Sequence, residues 1–205
     1  MLKKINSGIA AGVCISLGGG VFLACENRVA GAVLFCVALL CICFKGYALF
    51  TGRVGYVPED HSKGALESLL LALLGNALGT VICGLLMRAA LPNLGAAAET
   101  ICAAKLQQLW WSTLVRGFFC GVLMYLAVSV FRDSKSPLGV LFCIPVFILS
   151  GFEHSIADIF YFAASGSVSL GAFGFIWLVI LGNALGGMAL PILSGLWKKE
   201  APHER

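Results

Sequence analysis

The chain has 205 residues, of which 60% are apolar and 12% charged, with a mean hydropathy of +0.95 and a formal charge of +4. A water-soluble domain carries about 25% charged residues, so this composition excludes an ordinary soluble globule. The basic residues cap apolar runs and form no aromatic-interleaved patch, which excludes a nucleic-acid surface.

In chain order, apolar runs long enough to cross about 30 Å of hydrocarbon, roughly 20 residues each, fall at 5–25, 29–50, 64–89, 106–131, 137–162 and 170–197. No small-residue cleavage pattern follows the first run, so it reads as a retained span. With a cytoplasmic N-terminus, the inner segments carry Lys3, Lys4, Arg53, Lys63, Arg132, Lys135, Lys198, Lys199 and Arg205. The outer segments carry only Arg28, Arg88 and Lys105. This nine-to-three split satisfies the positive-inside rule and accounts for the net charge. Most of the nine cysteines lie within apolar runs and form no CxxC, so they read as small apolar packing residues rather than disulfides or metal ligands. No cofactor or metal site is expected.

The third run contains Gly75-Asn76-Ala77-Leu78-Gly79, and the sixth repeats it as Gly182-Asn183-Ala184-Leu185-Gly186, 107 residues later. Gly8-xxx-Gly12-Val13 returns as Gly117-xxx-Gly121-Val122, 109 residues later. One transmembrane domain over 1–205 is therefore expected, with halves near 1–100 and 101–205. Three spans per half force the second half to enter the membrane upside down, an arrangement that places transport sites between the halves.

The second run of each half is interrupted at a matching place. Ala48-Leu49-Phe50-Thr51-Gly52 and Ser150-Gly151-Phe152-Glu153-His154-Ser155 both combine glycine with a small hydroxyl residue, a pattern that stops one helix and caps the next. Irregular backbone at membrane depth is tolerated where it is buried in protein or lines a cavity. The freed helix N-termini favour anions. His154 reads either as a histidine satisfied by a backbone carbonyl or as a donor to a passing anion, since an intramembrane ionisable residue marks a functional site by default. Asp158 reads either as the partner of Ser155 in a capping box or as a carboxylate against the His154 imidazole. Glu153 is expected to pair with Lys45 or Arg116. Lys45 itself reads either as a snorkelling or structurally paired residue or as a group near the pore.

At these residues the chain resembles the formate–nitrite transporter family over nearly its whole length, through Leu49-Phe50-Thr51, Gly151-Phe152-Glu153-His154-Ser155-Ile156-Ala157 and the two GNxxG elements. The resemblance implies an all-α membrane protein with six transmembrane helices, an aquaporin-like inverted 3+3 repeat, and broken second and fifth helices. It also implies one pore per protomer in a homopentamer, within the lipid of a bacterial inner membrane, with both termini cytoplasmic. Phe35 and Leu39 align with one hydrophobic constriction, with Phe50 beside it, and Phe147 aligns with the other. Thr51 and His154 sit between them. Lys105, sixteen residues before Gly121, has the spacing of the family's vestibule lysine and pore-lining asparagine. The chain departs from the family where it has Gly121 and Asp158, since the family commonly has asparagine at both. The function implied is passage of a small monovalent anion of a weak acid, such as formate, nitrite or hydrosulfide, with a proton linked through His154. The alternative is an aquaporin-like channel for neutral solutes, which lacks support because the Asn-Pro-Ala pair is missing. An enzyme is not expected: no HExxH is present, and Ser155 beside His154 reads as a cap rather than a nucleophile.

Overall fold

The computed structural model describes residues 1–195. The end of the sixth apolar run and the cations Lys198, Lys199 and Arg205 lie outside the described residues. In chain order the helices are α1 (Leu2–Ala24), α2 (Arg28–Leu34), α3 (Cys36–Lys45), α4 (Phe50–Arg53), α5 (Lys63–Ala90), α6 (Pro92–Leu106), α7 (Trp110–Ser134), α8 (Leu138–Leu149), α9 (Ser155–Ser165) and α10 (Leu170–Leu193). A short 3₁₀ turn, Val54–Tyr56, follows α4.

Among the described residues, five stretches are long and apolar enough to cross a membrane: α1, the α2–α3 run, α5, α7 and α10. The remaining expected run, 137–162, is divided between α8 and α9, of 12 and 11 residues, each shorter than the roughly 20 a single crossing needs. Local chemistry sets several starts. Asn27 Oδ1 accepts from Val29 N and Ala30 N, Ser62 Oγ from Ala65 N, and Ser169 Oγ from Ala172 N. Each satisfies an amide that a helix start leaves free.

Two helix pairs form the frame, α1 with α5 and α7 with α10, and the repeated glycines explain both. A β-carbon on Gly8 would sit 2.8 Å from Ala72 O, and one on Gly182 would sit 2.6 Å from Leu114 O. Without hydrophobic segregation from lipid to drive them, membrane helices associate by such close backbone approach. Gly121 belongs to this set. A β-carbon there would collide with the Asn183 carbonyl on α10. Expected on the pathway, it is a contact residue between α7 and α10 and lines neither of the chambers described below.

The stretch before the fourth run forms α6, which opens with Pro92 at its first position, where the missing N–H is harmless. Lys105 lies in the last turn of α6, aimed into the protein. Lys45 lies exposed in the last turn of α3 and lines neither chamber, a position that suits a cation at a helix C-terminus.

Candidate functional site

Both interruptions are built alike. α3 stops at Gly46 (φ +69°), and the chain runs extended to Leu49 before α4 begins. α8 stops at Ser150, Gly151 takes φ +71°, and the chain runs on to His154 before α9 begins. Glycine adopts this left-handed backbone without steric cost. Each interruption strands buried backbone groups, and one asparagine from each GNALG element collects them. Asn76 Oδ1 accepts from Phe50 N at 2.8 Å, while its Nδ2 donates to Ala48 O at 2.8 Å and Gly8 O at 2.9 Å. Asn183 Oδ1 accepts from Ser155 N at 2.9 Å, while its Nδ2 donates to Glu153 O at 2.8 Å and Gly117 O at 2.9 Å. Both asparagines are fully buried. The sequence repeat was legible, but this task of its two amides was not. An asparagine recurring within two apolar runs was the available signal.

The restarted helices bring Thr51 and His154 together: Thr51 Oγ1 lies 2.8 Å from His154 Nε2. His154 is itself the cap of α9, its Nδ1 accepting from Ala157 N at 3.1 Å. A nitrogen that accepts carries no proton, so the ring is neutral with its hydrogen on Nε2, donating to Thr51. This overturns both readings of Asp158. Ser155 is not the cap, and its hydroxyl has no partner among the described residues. Asp158 does not reach back to the helix start or touch the imidazole. Its Oδ1 lies 2.9 Å from Lys105 Nζ. Glu153 also pairs with Lys105, rather than with Lys45 or Arg116, and its Oε1 accepts from Gln108 Nε2 at 2.7 Å. The physical reason is α6, whose end carries Lys105 to within reach of both acids.

Aromatic rings close the site on one side. The Phe147 ring stacks on His154 with centroids 5.8 Å apart and planes at 29°, and Phe35 meets Phe147 edge-on at 6.1 Å. Phe35 and Phe147 thus form one apolar cluster instead of opposite constrictions. Leu39 lies four residues on, about 6 Å along the helix axis, and lines the smaller chamber described below. Phe50 is buried beside Thr51.

Two chambers approach this midpoint. The larger, about 500 Å³, is lined by Phe147 and His154 together with Arg28, Lys105, Arg116, Glu153 and Asp158. Arg116 donates to Gly151 O at 3.0 Å and Arg28 to Ile148 O at 3.4 Å, so both guanidiniums are braced by backbone next to the second interruption. The smaller, about 190 Å³, is lined by Leu39, Leu49 and Gly52, and its mouth carries Arg53, Arg132 and Lys135 with no carboxylate among its lining residues. Sequence reasoning missed Arg28, Gln108 and the role of Arg116 because their partners come from distant parts of the chain.

A bundle of long apolar helices, two irregular segments buried within it, one chamber reaching His154 and another lined by Leu49 and Gly52 beside Thr51 define a multi-pass membrane transport protein. Comparison with known proteins identifies which kind. The sequence profile of the family described as "Formate/nitrite transporter" matches residues 1–197. The nitrite transporter NirC of Salmonella typhimurium (strain LT2) is 29% identical over 192 residues, 83% of this chain and 71% of that protein. A solved structure described as an FNT family ion channel superposes with a TM-score of 0.86 at 25% identity, covering 96% of this chain and 90% of the other. A second, described as a pentameric formate channel with formate bound, gives 0.78 at 22% identity, covering 96% and 95%. The chain belongs to the formate/nitrite transporter family, and its relatives are transporters and channels, not enzymes.

Proposed function

We propose that this protein passes small monovalent anions of weak acids, such as formate, nitrite or hydrosulfide, across a membrane, with a proton accompanying the anion past His154. The observation that carries the reading is the Thr51–His154 pair, buried between two chambers at the ends of two interrupted helices. In this reading α8 and α9 together form a fifth span. The six spans then divide into inverted halves, and the matching bonds of Asn76 and Asn183 support that symmetry. Both termini are cytoplasmic, in a bacterial inner membrane, and the smaller chamber with its three cations faces inward, in accord with the positive-inside rule. Five copies assemble, each with its own pore. The likeness to a channel described as pentameric and formate-bound supports that assembly and a small anion as cargo.

The path follows from the chemistry along it. Cations at either mouth raise the local anion concentration. At the midpoint the anion must pass the Phe35–Phe147 rings and Leu39, where charge is disfavoured by about 2.5–3.5 kcal/mol on insertion scales. Two helix N-termini and the His154 Nε2–H, turned from Thr51 to the anion, offset that penalty. A proton removes it altogether. For an acid of pKa about 3.5 at about pH 7 protonation costs about 5 kcal/mol, and for one titrating near neutrality almost nothing.

Initial fluxes of formate, nitrite and hydrosulfide into proteoliposomes, at acid and neutral pH, test the reading. The His154→Phe protein is expected to lose the pH-dependent flux. Undiminished anion flux with no pH dependence in that variant would remove His154 from the mechanism. Swelling with glycerol but with none of the anions would replace the anion reading with a neutral-solute channel.

A further inference from the structure

Two acids and one ammonium share a wall of the larger chamber. Lys105 Nζ is bonded to Glu153 Oε2 and lies 2.9 Å from Asp158 Oδ1, and the two acid side chains are 3% and 1% exposed. Glu153 is complete as a carboxylate, because Gln108 donates to its second oxygen. Asp158 is not. Its Oδ2 is buried and has no hydrogen-bond partner among the described residues.

The groups around Asp158 do not supply a second positive charge. On α7, Arg116 is committed to Gly151 O and Ser112 Oγ, and on α2 Arg28 donates to Ile148 O. Neither guanidinium forms an ion pair with Asp158 among the described residues. The His154 ring, at the start of the same helix, is occupied by Thr51 and Ala157. The remaining titratable neighbours are Tyr161 on α9, which lines the same chamber, and the thiols of Cys102 on α6 and Cys120 on α7. With both acids ionised the cluster therefore carries one excess negative charge, and an uncompensated buried charge is the unfavourable arrangement. One proton restores neutrality, and the oxygen without a partner is where it fits.

We propose that Asp158 is a neutral carboxylic acid whose Oδ2–H is a hydrogen-bond donor to the anion held in the larger chamber. The proposal rests on the anion-channel reading. A carboxylic acid kept neutral by its site so that it can donate is a known chemical device. It makes the chamber selective for species that accept a hydrogen bond, and it links the chamber to pH independently of His154. Once Asp158 ionises, the wall turns net negative and repels the anion.

Two measurements on the lipid-reconstituted protein decide it. Infrared spectra at neutral pH are expected to show the carbonyl stretch of a buried protonated carboxyl. That band should vanish in Asp158→Asn and persist, shifted, in Asp158→Glu. In flux assays the asparagine amide donates at every pH, so the ratio of Asp158→Asn to wild-type anion flux is expected to at least double as the pH rises from about 6 through the point at which Asp158 is half ionised. Absence of the band, or its survival unchanged in Asp158→Asn, overturns the proposal, as does a flux ratio independent of pH. If Asp158→Asn does not assemble, the shifted band of Asp158→Glu decides. If wild-type vesicles carry no anion, the functional reading fails while the infrared result still settles whether Asp158 holds the proton.

Discussion

Replacing Asn183 by alanine removes three hydrogen bonds at one stroke, and their consequences differ. Gly117 lies inside α7, where its carbonyl keeps the helix's own partner. Ser155 N and Glu153 O have no such reserve: both belong to the interrupted segment, and both lose the partner that Asn183 gave them. Each unsatisfied buried group costs about 1–3 kcal/mol, so the expected loss is about 2–6 kcal/mol. The same substitution releases the residues on both sides of His154, so anion flux should fall with stability. Unfolding in lipid bicelles, followed by tryptophan fluorescence, measures the first effect, and proteoliposome uptake the second. Thr100→Ala is the control, because its exposed hydroxyl bond to Ala96 O lies away from the site and should contribute less than about 0.5 kcal/mol. Asn76→Ala is expected to match Asn183→Ala, since its amide makes the same three bonds in the other half. A loss below about 0.5 kcal/mol in either asparagine variant would refute the idea that these amides sustain the interruptions.

Other outcomes follow from the same geometry. Gly121→Ala should destabilise by about 1–3 kcal/mol through collision with the Asn183 carbonyl, whereas Gly64→Ala, with nothing within 4 Å of the new methyl, should be neutral or slightly stabilising in thermal unfolding. Thr51→Val keeps the shape and removes the oxygen that accepts from His154. It leaves the buried Nε2–H without a partner, so it should cost about 1–3 kcal/mol of stability and reduce anion flux, whereas Thr51→Ser restores both. Arg53→Gln combined with Arg132→Gln should slow uptake at low ionic strength from the side that the smaller chamber faces. That deficit should shrink at about 1 M salt, where the screening length falls to about 3 Å. An equal deficit at both ionic strengths would show that these arginines do not act by long-range attraction.

The sequence carried much of this arrangement because membrane insertion leaves a coarse record. Run lengths gave the long helices, and a glycine beside a small hydroxyl residue, repeated in the two halves, gave both interruptions. Thr51 and His154 stood out because a polar residue in an apolar run has few bland explanations. What stayed hidden depended on contacts between distant segments. The partner of Glu153 and Asp158 is Lys105, 48 residues before the first of them, and only the fold of α6 brings it there. Local spacing around Ser155 and Asp158 suggested a capping box, but the imidazole of His154 took the cap position first. Gly121 looked like a lost pore residue in one dimension, and in three it is where α7 meets α10.

That imidazole cap bears on how a cell could tolerate such a pore. A ring whose Nδ1 is engaged by Ala157 N–H cannot take up a second proton without loosening the first turn of α9. The midpoint is therefore a poor place to store a proton from solution, and the buried Phe35–Phe147 rings beside it offer water no hydrogen-bonding partner. In the proposed reading, protons would then cross only in company with the cargo, so an open pore could equilibrate a weak acid without short-circuiting the electrochemical gradient of the membrane that holds it.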